Sequence, residues 1–378
     1  MAAERISKGI ELRSLVKGDG SVEVSVVEAP VPTPKSDEVL VRVEAAPINP
    51  SDIDQMLVRG NTGAITRKAG DVPAISLPLP RLALQALQAR IDLSLPMGNE
   101  GAGIVIAAGS SPEAQKLLGR TVSVSGGGMY RQYRIAKPGE CIVFPHGTDP
   151  RLCAASFVNP LTALGMVETM RRENHTALVH TAAASNLGRM LNRICLKDGI
   201  ALVNVVRGAR QAELLRSEGA THVCDMNAPG FFDDLTKAIA ETGASIGFDA
   251  TGGGELADRL LKAMENAMLA RLPGYQRYGS SGHKQVYSYG RLNTDPLVLN
   301  RNYGGAWSIG GWLLMLFLAK LEAKDVDRLK ARVVAEIDTT FASAYASEVS
   351  LMEAIEPANV VEYTKRSTGN KFLIRPHG

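Results

Sequence analysis

The sequence predicts a two-domain α/β protein, with a loop-rich, mainly β region followed by a doubly wound parallel sheet. Three observations predict it. The chain has 378 residues, too many for one small module. Up to about residue 155 short alternating segments are broken by Gly and Pro. From about Asn159 strands and short helices take turns, as in a parallel sheet with helical crossovers.

In the first region VLVRVEA (Val39 to Ala45) puts Val39, Val41 and Val43 on one face, the pattern of a half-buried strand. GAGIVIAAG (Gly101 to Gly109) and RTVSVSGGG (Arg120 to Gly128) read as strands running into turns. The stretch from Ile65 to Leu95 fits neither pattern. It has a helical segment with Leu82, Leu84 and Leu87 after a Pro-rich turn, and is expected to be a lid or a surface excursion.

In the second region TALVHT is a buried strand and LGRMLNRICLK a helix with Leu187, Met190, Leu191, Ile194 and Cys195 at helical spacing. Cys195 there is expected in the core. ALVNVV is the next strand, QAELLRSEG a helix stopped at Gly219, and THVCD a third strand. FFDDLTKAIAET is a helix with Phe232, Leu235 and Ile239 on one face. SIGFDAT and KQVYSYG follow as a fourth and a fifth strand. The most apolar run, SIGGWLLMLFLAKL, is shorter than the ~20 residues of a bilayer span and reads as a buried helix.

Composition excludes several classes. Lys plus Arg is 42 and Asp plus Glu 39, a net charge of +3, which argues against a dedicated nucleic-acid binder. The 4 Cys contain no C-x-x-C pair, so neither a disulfide scaffold nor a cysteine zinc cluster is expected. The N-terminal segment has charges throughout and no apolar core, so the expected compartment is the cytoplasm.

The turn after TALVHT carries a cofactor signal. A helix N-terminus offers unpaired N–H groups to a pyrophosphate. The glycine positions of the G-x-G-x-x-G motif are Ala183, Ser185 and Gly188 here, all small, with only the last a Gly. The bland alternative is an ordinary strand-to-helix turn. At the end of the second strand, where NAD enzymes place a carboxylate for the ribose, stand Arg207 and Arg210. Two guanidinium groups suit a 2′-phosphate and point to NADP(H), the alternative being two solvated arginines.

Together these stretches resemble the medium-chain dehydrogenase/reductase superfamily, and most closely its zinc-free branch of quinone oxidoreductases and 2-enoyl thioester reductases. The resemblance is carried in order by AAPINPSD (Ala45 to Asp52), GNEGAG (Gly98 to Gly103), LLGRTV, GGMYRQY (Gly127 to Tyr133), VNPLTAL (Val158 to Leu164), VNVVRGAR, GGWL (Gly310 to Leu313) and TGNKFLIRP (Thr368 to Pro376). It implies a GroES-like catalytic domain from residues 1–158 and 318–378, and a Rossmann NADP-binding domain from 159–317. The cofactor is expected in the cleft between them.

Carried over by position, Asn159 and Thr162 would lie at the nicotinamide side. Ala183, Ser185, Asn186, Leu187 and Gly188 would hold the pyrophosphate. Arg207, Gly208 and Arg210 would read the 2′-phosphate. Tyr289 and Gly290, then Gly311, Trp312 and Leu313, would line the nicotinamide half, and Lys371 would reach the cofactor from the C-terminal segment. Trp312 equally suits a core or interface aromatic. Thr251 to Gly254 would let a strand end approach the cofactor. The resemblance also implies a homodimer through paired Rossmann sheets.

The chain departs from the family's patterns at telling places. Asn99 stands where the zinc branch has a His, and Asn49 and Pro50 where it needs a Cys, so no zinc is expected. In Gly60-Asn61-Thr62-Gly63, Thr62 replaces the acid Tyr of the enoyl thioester reductases. The expected chemistry is metal-free hydride transfer from NADPH to a small electrophile, a quinone or an α,β-unsaturated carbonyl. Asn49 could donate to the carbonyl oxygen. Asp52 could position Asn49 or cap a helix after Pro50. Tyr130 could be an acid or a packed aromatic. Thr62 has a hydroxyl too weakly acidic to act unaided. His283 and Lys284 are expected to be solvated loop groups. Reduction of 2-enoyl thioesters is the alternative reaction, and a non-catalytic NADPH-binding protein with a structural or RNA-binding role is the alternative class.

Overall fold

Residues 7–378 are described by a computed structural model. They divide into two units, one running up to Val158 and resuming at Arg332–Gly378, the other being Asn159–Ala331.

The first unit opens with β1 (Lys8–Val16), β2 (Ser21–Pro30), β3 (Val39–Pro47) and α1 (Pro50–Leu57). There follow β4 (Thr66–Lys68), β5 (Ala74–Pro78), α2 (Arg81–Ala86), β6 (Ser94–Pro96) and β7 (Glu100–Ala108). Then come α3 (Pro112–Gln115), β8 (Thr121–Ser125), β9 (Tyr133–Ala136), β10 (Cys141–Val143) and α4 (Pro150–Cys153). One sheet has the order β10-β8-β7-β3 and continues into two strands from the C-terminal segment; β9 also pairs with β3. Val39, Val41 and Val43 are all fully buried, as their alternation requires. Gly103 opposes Val43 beside the Arg42 carbonyl, and an added Cβ would lie 2.0 Å from that oxygen, which explains a Gly in mid-strand.

The segment Ile65 to Leu95 corrects the expectation of a lid or excursion. It supplies β4, β5 and β6, which complete a sheet of order β4-β5-β2-β1-β6. Its apolar side chains are divided: Leu84, Leu87 and Ile91 pack on the core while Leu82 faces solvent. Strands of three to five residues carry too short a period to read, so the sequence showed only the helix.

The second unit begins in α5 (Val158–Arg172) and runs β11 (Ala177–Thr181), α6 (Asn186–Asp198), β12 (Ala201–Val206), α7 (Ala209–Ser217) and β13 (His222–Asp225). It continues with α8 (Phe231–Thr242), β14 (Ile246–Asp249), α9 (Leu256–Leu269), β15 (Lys284–Ser288), β16 (Trp307–Gly311), α10 (Leu314–Leu318) and α11 (Ala323–Ala335). All strand pairs are parallel, in the order β13-β12-β11-β14-β15-β16. This is the doubly wound order 3-2-1-4-5-6, with its topological switch between β11 and β14. All five residues of β11 are buried, the mark of a strand covered on both faces. Cys195 is buried on α6, and Gly219 takes a positive φ of 88° just past α7, as its role as a stop requires.

Two expectations fail here. SIGGWLLMLFLAKL is not one buried helix. Ser308 to Gly311 extend as β16 against β15, and only five residues then coil into α10. Leu313, Met315 and Leu316 are 56%, 53% and 63% exposed. The Gly310–Gly311 pair favours an extended, pairable backbone over helix. Lys284 is not solvated either. It is fully buried in β15, with Nζ donating to Glu265 Oε2 at 2.7 Å, Ser280 Oγ at 2.8 Å and the Gly282 carbonyl at 2.9 Å. His283 remains exposed, near Ser308 Oγ at 2.8 Å.

The chain returns to the first unit with β17 (Ser347–Val349), α12 (Pro357–Thr364) and β18 (Phe372–Ile374). β18 pairs antiparallel with β3 and parallel with β17. Among the described residues no helix is long and apolar enough to cross a membrane.

Candidate functional site

In the second unit the predicted cofactor residues gather at the carboxyl ends of the parallel strands, where open α/β sheets bind ligands. After β11 the chain turns through Ala182, held at a φ of 52°, and Ser185 caps α6. Ser185 Oγ accepts from Gly188 N at 3.1 Å, which leaves its own O–H free to donate. A Cβ on Gly188 would lie 2.2 Å from the Ala183 carbonyl oxygen, so only Gly lets α6 start this close to the turn. Asn186 and Leu187 open that helix.

At the end of β12, Arg207 and Arg210 are exposed and form no ion pair among the described residues. Gly208 between them is the residue before α7. The Arg207 backbone is held from two sides: its N–H donates to Gln211 Oε1 at 3.2 Å, and its carbonyl accepts from Asn227 Nδ2 at 2.8 Å. Two unopposed guanidinium groups on a fixed turn fit a phosphate monoester.

Tyr289 and Gly290 follow β15. The Tyr289 hydroxyl lies 2.7 Å from His180 Nε2, the rings stack at 5.7 Å, and burial pulls the imidazole down to about 3, so His180 is neutral. Asp249, at the end of β14, accepts from Thr181 Oγ1 at 2.8 Å and from the Thr251 and Gly252 N–H groups at 2.9 Å. It thereby shapes the TGGG turn, where a Cβ on Gly252 would lie 2.2 Å from the Gly290 carbonyl oxygen. Trp312 is a packed aromatic: Nε1 donates to Thr169 Oγ1 at 3.0 Å and the ring stacks on Phe317 at 5.5 Å. Gly311 and Leu313 are exposed beside it, while Thr162 is buried and Asn159 half-buried on α5.

In the first unit Asn49, Asp52 and Tyr130 come together around Glu100. Asp52 is a capping residue: Oδ2 accepts from Asn49 N at 2.8 Å and Oδ1 from Asn99 N at 2.7 Å. Burial pushes its carboxyl up to about 7. Asn49 does not present its N–H₂ for a carbonyl, because Nδ2 already donates to Glu100 Oε1 at 2.9 Å. Its unengaged atom is the acceptor Oδ1. Tyr130 is fully buried and its hydroxyl donates to the Pro47 carbonyl at 3.0 Å. Thr62 lies apart, at the start of a short 3-10 turn that Asn61 caps. Lys371 has a half-exposed stem, but its Nζ is buried without a hydrogen-bond partner.

Sequence reasoning gave no role to Glu100, His180 or Asp249. A charged or polar residue inside an otherwise apolar strand was the available signal for each. The four cysteines are buried, and among the described residues no three His, Cys, Asp or Glu side chains group to hold a metal.

No protein-family model matches the chain. It is 27% identical over 251 residues to the synaptic vesicle membrane protein VAT-1 homolog of Rattus norvegicus, covering 65% of this chain and 55% of that protein. It is 28% identical over 241 residues to the mitochondrial enoyl-[acyl-carrier-protein] reductase of Bos taurus, covering 60% of this chain and 57% of the relative. The chain thus spans about half the length of the curated relatives it matches. A crystal structure from Mesorhizobium loti assigned as an NADPH:quinone reductase superposes with a TM-score of 0.73 at 24% identity, over 99% of this chain and 100% of that one. With a GroES-like β domain and a Rossmann-type parallel sheet, the chain has the fold of the medium-chain dehydrogenases and reductases and is similar in sequence to a mitochondrial enoyl reductase and to the VAT-1 homolog.

Proposed function

We propose that the protein is a zinc-independent NADPH oxidoreductase that delivers a hydride to a quinone or another conjugated carbonyl compound. The observation that carries this is the cradle at the ends of β11 and β12, where Gly188 gives close approach to α6 and Arg207 and Arg210 stand without carboxylates. These residues fit a dinucleotide with a 2′-phosphate. When bound, such a cofactor supplies the hydride. The chain's own part is to bind and orient. Ser185 and the first N–H groups of α6 hold the pyrophosphate, Arg207, Gly208 and Arg210 the 2′-phosphate, and Tyr289, Gly290 and Gly311 to Leu313 the nicotinamide half. Asn159 and Thr162 complete that set.

The names of the relatives support the acceptor class, since they include an enoyl reductase and an NADPH:quinone reductase. Thr62 in place of a Tyr acid favours the quinone over the enoyl thioester. The strand β16 ends its sheet, which supports a homodimer along that edge. Buried cysteine thiols support the cytoplasm as the compartment.

The test is NADPH oxidation followed at 340 nm with panels of quinones, enones and enoyl thioesters. Turnover with quinones or enones is expected. Tight NADPH binding with no turnover on any panel would sink the reading, and turnover on enoyl thioesters alone would move the substrate class.

A further inference from the structure

Four neighbouring strands of the first unit, β7, β3, β18 and β17, end together at one edge of their sheet. Glu100 is the first residue of β7, Asn49 lies just past β3, Lys371 just before β18, and Tyr345 two residues before β17. The register brings these ends level: Ala45 opposes Ala102, Leu373 opposes Pro47, and Phe372 opposes Ser347. Two backbone bonds close the edge, from Ile48 N to the Phe372 carbonyl at 2.9 Å and from Ala346 N to the Lys371 carbonyl at 2.8 Å.

Three polar atoms at this edge are buried with no hydrogen-bond partner: Asn49 Oδ1, the Tyr345 hydroxyl and Lys371 Nζ. An orphaned buried polar atom destabilises the fold, and a lone ammonium does so more. An acceptor, a hydroxyl and a three-proton donor are mutually complementary, the set that a bridging water would need. Glu100 beside them is already engaged, by Asn49 Nδ2 at 2.9 Å, Phe157 N at 3.0 Å and Val158 N at 2.8 Å. Lys371 therefore feels the Glu100 and Asp52 carboxyls through space and hydrogen-bonds to neither.

Reduction of a conjugated carbonyl needs one proton as well as one hydride. The other candidate acids are committed or weak: Tyr130 donates to Pro47, both Asp52 oxygens are taken by the Asn49 and Asn99 N–H groups, and Thr62 is an alcohol. We propose that Lys371 holds this proton and passes it through water bridging Lys371, Tyr345 and Asn49, an inference that rests on the reductase reading above. In the step an N–H bond of the ammonium breaks and a C–H or O–H bond forms on the acceptor. The two electrons arrive with the hydride of the nicotinamide dinucleotide. Lys371 is left as a neutral amine, and bulk water returns its proton. Burial pulls Lys371 below the usual lysine value of 10.5 against the opposing pull of Glu100 and Asp52, which makes it a readier donor than an exposed lysine.

Lys371→Met keeps the stem and removes the charge. At pH 7 the variant, without cofactor, is expected to unfold at a higher temperature than the wild type, because a buried ammonium with no protein partner is gone. Its NADPH dissociation constant, read by fluorescence titration, is expected within about threefold of wild type. Turnover at saturating NADPH should fall about a hundredfold, with Lys371→Arg no better, because a guanidinium does not give up its proton. Two results would overturn the assignment: a lower unfolding temperature, which would mean the ammonium is held by a protein group, or weakened NADPH binding with unchanged turnover, which would make Lys371 a cofactor contact. A wild-type protein that reduces no acceptor removes the reductase reading itself; an active wild type with an equally active Lys371→Met removes only the proton role.

Discussion

Asn49 Nδ2 donates to Glu100 Oε1 at 2.9 Å, so the residue that caps α1 also holds the residue that begins β7. The contact fixes which way the amide faces, since its oxygen against a carboxylate would repel. Asn49→Ala removes one of three donors to a buried carboxyl and is expected to cost about 2 kcal/mol in urea denaturation at pH 7. Asn49→Asp sets a second carboxyl against Glu100 and should cost more. The gap between the two variants should narrow as the pH falls toward 5, when one carboxyl of the pair takes a proton. Equal losses at both pH values would show that charge is not the issue.

Arg207 and Arg210 set the choice of cofactor if their guanidinium groups meet the 2′-phosphate. Each charge-assisted contact is worth about 1.5–3 kcal/mol. Arg207→Ala or Arg210→Ala should therefore weaken NADPH binding roughly ten- to a hundredfold and leave NADH binding near its original value. Parallel titrations with both nucleotides decide this. An equal loss for both would place the arginines elsewhere than at the phosphate. Asn227→Ala, which releases the Arg207 carbonyl, should erode the same preference by a smaller factor.

The Rossmann half was legible because a strand buried on both faces reads as an apolar run and each amphipathic helix keeps its period. α6 and β11 show both signals. The residues misread are those whose partners are distant in sequence. Lys284 stands in a Gly/Ser-rich approach, and nothing local reveals that Glu265 waits on α9. The apolar stretch from Ser308 looked like a core helix because composition dominates a short window, whereas two glycines and a free sheet edge at β15 drew its first four residues into a strand. Around the candidate site the motifs gave residue types at the right places but not directions. The unengaged atom of Asn49 is its oxygen, the Tyr130 hydroxyl is already committed, and the Lys371 ammonium lies inside its own unit.

Asp52 gives stability a pH slope with a definite sign. Burial raises its folded-state value to about 7 from the usual 3.8, so the folded protein holds a proton that the unfolded chain releases. The stabilisation is fully present below about 3.8 and is lost as the pH rises through about 7. The full swing is on the order of 4 kcal/mol at roughly 1.4 kcal/mol per pH unit. Glu100, also raised by burial, adds in the same direction. Urea denaturation between pH 5 and pH 8 should show stability falling with pH, and Asp52→Asn should flatten that slope even though Asn loses one of the two accepted bonds. An unchanged slope in the variant would mean Asp52 is ionised throughout.

The Lys284–Glu265 pair tests how a buried charge is kept. Both side chains are withdrawn from solvent, and all three Lys284 protons have acceptors: Glu265, Ser280 and the Gly282 carbonyl. Glu265 also accepts from Ser280 N at 2.8 Å, so the pair pins the loop that leads into β15. Gly279 and Gly304 press against this carboxylate; a Cβ would lie 2.4 Å and 2.9 Å from Glu265 Oε1. Breaking one side strands a buried charge, so Lys284→Met should cost about 3–5 kcal/mol. Glu265→Gln added to Lys284→Met removes the stranded charge and keeps an acceptor for Ser280. The double variant should therefore be more stable than Lys284→Met alone, with a coupling of roughly 2 kcal/mol in a double-mutant cycle. Additive losses would mean that the two residues act on the loop separately, and that the ion pair contributes little beyond packing.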